Sequence, residues 1–316
     1  MNRKSVVFTF ITVILLSIII IAFLVNINNR TQTSIQTSNV KVETLNNFVK
    51  DLNSSYLPDA LRASSNQAML SLIDYESNKS SYVPDARGYF RDVILDGYYG
   101  TEKQQDIFQN NLNYTLPYAL NEVKRLASQQ GTIFEYSQFD INNLQVSQED
   151  PWHVKASLNM NYLLSDAKSG INWTIRNRKI YTLIDIQNYR DPLYLIENKL
   201  GVSLMITKTP YTSFFDINMF KDHINKAYFR SNPGAPEFLS RLQGNLDASA
   251  YGSAYGIESL LDPVYYTNSD LYSNVDYLFF TKIPGKCVDN MPENFRLDDS
   301  HLDYYRRSNN ICTPQQ

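Results

Sequence analysis

Histidine and cysteine are both scarce, at three and two residues in a chain of 316. So small a supply excludes the Cys/His constellations of zinc ribbons and iron–sulfur centres, which need about four ligands held close together. Glycine is sparse too, at 11 residues, and forms no phosphate-cradling loop. The H-E-x-x-H helix of metalloproteases and the G-x-S-x-G elbow of hydrolases are missing. Gly252-Ser253-Ala254-Tyr255-Gly256 carries its serine one place early for that elbow and reads as loop. A dominant charge is also lacking: the formal net charge is −3. That balance leaves no footprint for nucleic acid and little electrostatic pull toward an anionic lipid surface. No internal repeat or low-complexity linker interrupts the chain.

What the chain does have is a charge-free apolar run at residues 6–25. At about 1.5 Å per residue, a helix of that length matches a hydrocarbon core roughly 30 Å thick. Arg3 and Lys4 precede the run, as they would in a secretory signal. The run exceeds the usual h-region of about 7–15 residues, however, and passes into Val25-Asn26-Ile27-Asn28-Asn29 without a small-residue cleavage site. The expectation is therefore a single-pass anchor: residues 1–5 cytoplasmic by the positive-inside tendency, 6–25 spanning, and the rest extracellular. Thr9, Thr12 and Ser17 can each bond a carbonyl of their own helix and imply no channel.

Beyond the membrane, Val42, Leu45, Val49, Leu52 and Tyr56 follow 3-4-3-4 spacing, with Ile35 in phase, so residues 26–57 are expected to form a helical stalk with one apolar stripe. The stripe either lies on the chain's own ectodomain or serves assembly. Pro58 ends or kinks the stalk and opens a second helix through about Tyr75, with Leu61, Ala68, Leu70, Leu72 and Ile73 available for burial. Helices are also expected at 85–95 and at 104–128, the latter interrupted by Pro117. After Gly131 the period changes. Residues 132–146 are rich in aromatic and β-branched side chains; Val154, Ala156, Leu158, Met160 and Tyr162 alternate with polar residues; Ile171, Trp173 and Ile175 alternate again before a further strand at 180–186. Residues 58–190 thus read as helices packed on an antiparallel meander, which makes the fold class α+β.

Asp191-Pro192 opens a more irregular part, 191–316, with helices at 216–229 and 236–243, the second stopped by Gly244, and a buried strand at 275–280. Its two cysteines, Cys287 and Cys312, are expected to form a disulfide on the outer side, free thiols being the alternative. Closing a loop of that length contributes about 3.5 kcal/mol in the chain-entropy model.

Candidate chemistry is thin. His153 reads as a surface residue of its strand and His223 as part of a solvated helix. Asp298, Asp299, His301 and Asp303 form the best acidic cluster, but Asp298 or Asp299 serves more simply as the cap of a short helix than as a metal ligand. No cofactor is implied. Sequons stand at Asn29, Asn53, Asn78, Asn113 and Asn172; an outward-facing chain makes the last four accessible to glycosylation, whereas Asn29 lies too near the bilayer.

The order of apolar helix, amphipathic helix, meander and C-terminal disulfide loop resembles the layout of type IV pilins. In that family a peptidase cuts after a small residue that follows a basic one, a place held here by Lys4-Ser5; Ser5 and Phe10 stand where those pilins carry Gly or Ala and Glu. In detail the chain looks like uncharacterised archaeal membrane-anchored proteins. The segments that carry this likeness are Asp150-Pro151-Trp152-His153-Val154, Asp191-Pro192-Leu193-Tyr194, Lys208-Thr209-Pro210-Tyr211, Ala235-Pro236-Glu237-Phe238-Leu239-Ser240-Arg241-Leu242, Gly256-Ile257-Glu258-Ser259-Leu260, and Phe295-Arg296-Leu297-Asp298-Asp299-Ser300-His301-Leu302. The resemblance implies an origin and a location, and no activity. The expectation is a non-enzymatic surface or pilin-like protein that self-associates or binds other envelope proteins. The alternative is a membrane-tethered hydrolase or solute-binding ectodomain.

Overall fold

The computed structural model describes residues 34–99, 105–106, 112–137, 141–166, 170–197, 204–214, 216–247, 254–266, 271–309 and 311–312. The expected cytoplasmic residues 1–5, the span at 6–25 and the sequon at Asn29 lie outside them. Among the described residues no helix is long and apolar enough to cross a membrane. The chain divides into two compact units, residues 1–52 and 53–316.

In the first unit, helix α1 (Ser34–Asp51) holds Val42, Leu45 and Val49 of the expected stripe, while Leu52 and Tyr56 lie beyond it. It is followed by a π-helical turn, Leu52–Tyr56, and then by α2 (Leu57–Lys79), with Pro58 in its first turn. The widened turn has a local cause. Proline offers no N–H to residue 54, and its ring crowds that carbonyl, so the chain loosens before α2 begins.

In the second unit, α2 buries Leu61, Ala68, Leu72 and Ile73, whereas Leu70, expected inside, is 42% exposed. Helix α3 (Ala86–Asp96) is capped by Asp85, whose carboxylate accepts from Gly88 N, and stops at Gly97 with φ of 75°. The helix expected at 104–128 is corrected. Tyr98–Tyr99 (β1) pairs with Gln105–Asp106 (β2), and α4 starts only at Leu116, where Thr115 caps it and Pro117 occupies the first turn. Proline here begins a helix rather than interrupting one.

Strands β3 (Thr132–Tyr136), β4 (Gln145–Asp150), β5 (His153–Asp166) and β6 (Asn172–Asp185) form one antiparallel sheet. The aromatic and β-branched stretch at 132–146 contributes two strands, β3 and the start of β4. β5 pairs through its first half with β4 and through its second half with β3, along the same edge. Its other edge is covered along its length by β6. The two expected strands at 171–175 and 180–186 are a single β6, because a bulge absorbs the polar run between them. Asn177 takes φ of 50° there, and its N–H donates to Asn161 Oδ1 at 2.8 Å. Val154, Ala156, Leu158, Met160, Tyr162 and Leu164 face a core with Ile180 and Ile184. α2, α3 and α4 lie against β6, β4 and β3 respectively.

Beyond Asp191 regular structure is short: α5 (Pro192–Glu197), α6 (Ile217–Asn225), β7 (Phe229–Ser231), α7 (Phe238–Leu242), β8 (Ile257–Ser259), α8 (Asp276–Phe280), β9 (Lys286–Cys287), β10 (Arg296–Leu297) and α9 (Asp299–Tyr304). Two expectations fail here. The helix expected to 229 ends at Asn225, since Ala227 turns with φ of 49° and Phe229 starts β7. The strand expected at 275–280 is helix α8, a short apolar run that periodicity alone does not resolve. Gly244 does stop α7, with φ of 66°. Phe214, Phe220, Phe295, Leu297 and Tyr305 centre an aromatic core, and Cys287 is bonded to Cys312 with Cα atoms 5.5 Å apart.

Candidate functional site

Two buried polar networks meet on β8, a strand whose three residues are all buried and whose alternating side chains face opposite ways. Glu258 enters one network and Ser259 the other.

The first network is built around Arg241 in α7, which is fully buried. Its Nε donates to both Asp191 carboxylate oxygens at 3.1 Å, and its Nη2 donates to Asp191 and, at 2.7 Å, to Asp276 Oδ2. Nη1 reaches the Ile257 carbonyl at 3.2 Å. Asp276 Oδ2 also accepts from Ser259 N at 3.0 Å and Ser259 Oγ at 2.9 Å, and Tyr194 Oη stands 2.7 Å from that hydroxyl. Burial alone would lower the Arg241 pKa; the carboxylates of Asp191 and Asp276 outweigh it and hold the guanidinium above its ordinary value. Burial pushes the Asp276 carboxyl up, against the pull of Arg241.

The second network clamps His301, in α9, between two carboxylates. Nδ1 lies 2.7 Å from Asp298 Oδ1 and Nε2 lies 3.0 Å from Glu258 Oε2. Glu258 also accepts from Tyr305 Oη at 2.7 Å and Asn232 Nδ2 at 2.5 Å. Asp298 accepts from Ser273 Oγ at 3.1 Å and from Ser300, and caps α9 through His301 N. Burial opposes the imidazolium, but hydrogen bonds to Asp298 and Glu258 raise its pKa to about 9. Asp298 is pushed up by burial and pulled down further by its hydrogen bonds from His301 and Ser300, to about 2. His301 is thus a cation that donates from both nitrogens.

This arrangement is closed. A general base needs a free lone pair and a nucleophile needs access. The His301 nitrogens are both committed as donors, and Ser259 is fully buried between Tyr194 and Asp276. The acidic cluster expected near the C-terminus does not converge. Asp298 and His301 meet, whereas Asp299 faces solvent beside Lys286 and Asp303 accepts from Ser308. Among the described residues no group of three His, Cys, Asp or Glu side chains is placed to hold a metal.

His153 is half-buried and bonds Asp150, its Nδ1 2.8 Å from Oδ2. His223, expected on a solvated helix, is corrected to a fully buried residue. Its Nδ1 lies 3.2 Å from Thr209 Oγ1, its ring packs on Phe214 at 4.8 Å between centroids, and Nε2 has no hydrogen-bond partner. Burial and the Arg230 charge lower its pKa to about 3, so the ring is neutral. Of the stripe, Leu45 and Leu52 are buried and Val42, Val49 and Tyr56 half-buried. Asn78, Asn113 and Asn172 are exposed, while Asn53 is half-buried and accepts from Tyr162 Oη at 2.8 Å.

Asp191, Arg241, Glu258 and Asp276 were not singled out from the sequence. A signal existed for two of them: Glu258 and Asp276 are isolated charges beside apolar residues, the pattern of a buried partnered ion.

A surface trough of about 410 Å³ lies along the unpaired side of β6. Residues 178–183 of the strand form one wall, and Asn53, Pro58, Asp59 and Arg62 at the start of α2 form the other. No protein-family model, curated protein or solved structure matches the chain.

Proposed function

We propose that this chain is a membrane-anchored, non-catalytic surface protein that works by binding other macromolecules of the cell envelope, with residues 6–25 as the anchor and the folded unit outside. The observation that carries the reading is the closure of the two β8 networks. The groups best suited to acid–base or nucleophilic chemistry are spent on one another inside the protein, out of reach of a substrate. The apolar run supports the membrane location, and exposed aromatic and aliphatic side chains such as Tyr265 and Val264 supply contact surface. A pilin-like assembly is the more specific form of this proposal, and it rests on the layout of the sequence alone.

Amine-reactive cross-linking of the full-length protein in its native membrane tests the reading. Reproducible adducts, with itself or with a second envelope protein, are the expected result. A chain that stays uncross-linked, and monomeric in detergent, rejects it. Turnover of a chromogenic ester, peptide or glycoside that Glu258→Gln abolishes would replace it with a hydrolase. Intact mass measurement addresses assembly: loss of residues 1–5 is the mark of pilin-type processing.

A further inference from the structure

Strand β6 is long and, among the described residues, pairs only with β5. An open edge is a template for another strand unless something blunts it. In β6 the bulge at Asn177 does so at one point, but from Lys179 to Asp185 the register runs without a break. No proline occurs in the strand. Tyr181 and Leu183 are 53% and 41% exposed on its outer face. This regular stretch faces the trough, so its free edge runs beside the first turns of α2. A strand edge alongside a helix is the geometry by which extended peptides are taken up through backbone pairing.

The charge around the trough narrows the occupant. Arg62 is paired with Asp59 at 2.6 Å, and Arg178 Nη2 reaches the Asn53 carbonyl at 3.4 Å. Lys179 is exposed and makes no salt bridge among the described residues. On the outer face an added strand meets Lys179, Tyr181 and Leu183 at successive alternate positions. A second copy is a poorer fit: its β6 brings its own α2 and repeats Arg176, Arg178 and Lys179 along the shared edge. We propose that the β6 edge binds an extended segment of a partner protein by strand addition, and that this segment carries a carboxylate opposite Lys179 and apolar side chains two and four residues along. Six residues of strand span about 20 Å, enough for a stable short pairing. The inference rests on the interaction reading above and specifies where and what the protein binds.

The test uses the full-length protein in detergent micelles and fluorescence anisotropy of labelled eight-residue peptides that carry one glutamate, valine two and four residues along from it and threonine elsewhere, so that the carboxylate and both apolar side chains share one face. Saturable binding is expected, weakened by about tenfold or more when lysine replaces glutamate. Lys179→Glu reverses that preference without altering circular dichroism. Two further peptides carry backbone N-methyl groups on alternate residues, displaced from each other by one position. One keeps binding and the other loses it, because only one set of N–H groups faces β6. The proposal is overturned by no saturable binding up to about 1 mM, by equal binding of the acidic and basic peptides, or by equal binding of the two methylated ones. Partners that cross-link only away from β6 would defeat this inference and leave the interaction reading standing. Absence of any cross-linked partner would defeat that reading, while the peptide result is judged on its own.

Discussion

Replacing Arg241 by methionine removes the cation shared by Asp191 and Asp276 while keeping much of the side-chain volume. Both carboxylates and the guanidinium are 0% exposed, so water cannot take over the lost interactions. Breaking a buried pair in this way costs about 3–5 kcal/mol, chiefly because uncompensated charge stays buried. Total stability is typically only about 5–15 kcal/mol, so the variant loses a large share of it. With a urea m-value near 3 kcal/mol/M, the unfolding midpoint falls by about 1–1.7 M. Trp152 and Trp173 report the transition by fluorescence, and circular dichroism provides the second probe that two-state analysis requires. The partner experiment adds Asp191→Asn and Asp276→Asn to Arg241→Met, and about half the loss returns because no charge is then stranded. The single variant should also gain stability as pH falls from 7 to 5: a carboxyl raised by burial holds its proton more tightly folded than unfolded, so its contribution is present at low pH and lost as pH rises. A cost below about 1 kcal/mol for the single variant, or a triple variant no better than the single, would refute the account of Arg241 as a structural counter-ion.

The remaining predictions concern titration, close packing and the cross-link. His301, with a folded pKa of about 9, contributes stability that is fully present below about pH 6.5 and lost as pH rises through 9, at most about 3 kcal/mol. The slope of stability against pH between 7 and 9.5 should therefore be shallower in His301→Gln. Glu76, buried and raised to about 9, adds to the same alkaline loss, and Glu76→Gln isolates its share. On the acid side, the neutral His223 withdraws its contribution as pH falls from about 6.5 through 3, so His223→Phe should flatten the loss measured in that window. A Cβ on Gly256 would overlap the Ala235 carbonyl and stand 2.5 Å from the Asn232 oxygen; Gly256→Ala is expected to cost about 2 kcal/mol or more in urea titrations. Cys287→Ser should cost about 3 kcal/mol and leave Cys312 reactive to thiol reagents in the native state.

The sheet was legible because its strands alternate. Alternation over 154–162 marks the inward face, and Asp85, Asp216 and Asp298 declare helix starts through the chemistry of capping. What was illegible depended on partners remote in sequence. The polar run Arg176-Asn177-Arg178-Lys179 breaks the pattern of a strand, and only the neighbouring β5, with Asn161 waiting to receive the Asn177 N–H, shows that a bulge carries the strand through. His223 looked solvated because its helix neighbours are polar; it is buried because Phe214 and Tyr305 arrive from elsewhere. The polar centre was hidden for the same reason, since Arg241 meets Asp191 and Asp276 across separations of 50 and 35 residues.

The sparse secondary structure beyond Asp191 and the density of buried charge within it are connected. Strands of two or three residues and helices of five to nine leave many backbone groups without ladder partners, and a buried backbone group without one is costly. Here side chains supply them. Arg241 donates to the Ile257 carbonyl, Arg307 to the Phe214 carbonyl, and Asn274 joins the Leu261 carbonyl to the Arg296 amide. Each such side chain must itself be satisfied, which draws Asp191, Asp276, Glu258 and His301 inside. The networks thus replace the missing ladders and fix one arrangement of irregular chain. A region held in this way gains nothing from opening its centre to a ligand, and the proposed binding site accordingly lies outside it, on the edge of β6 that no described strand pairs.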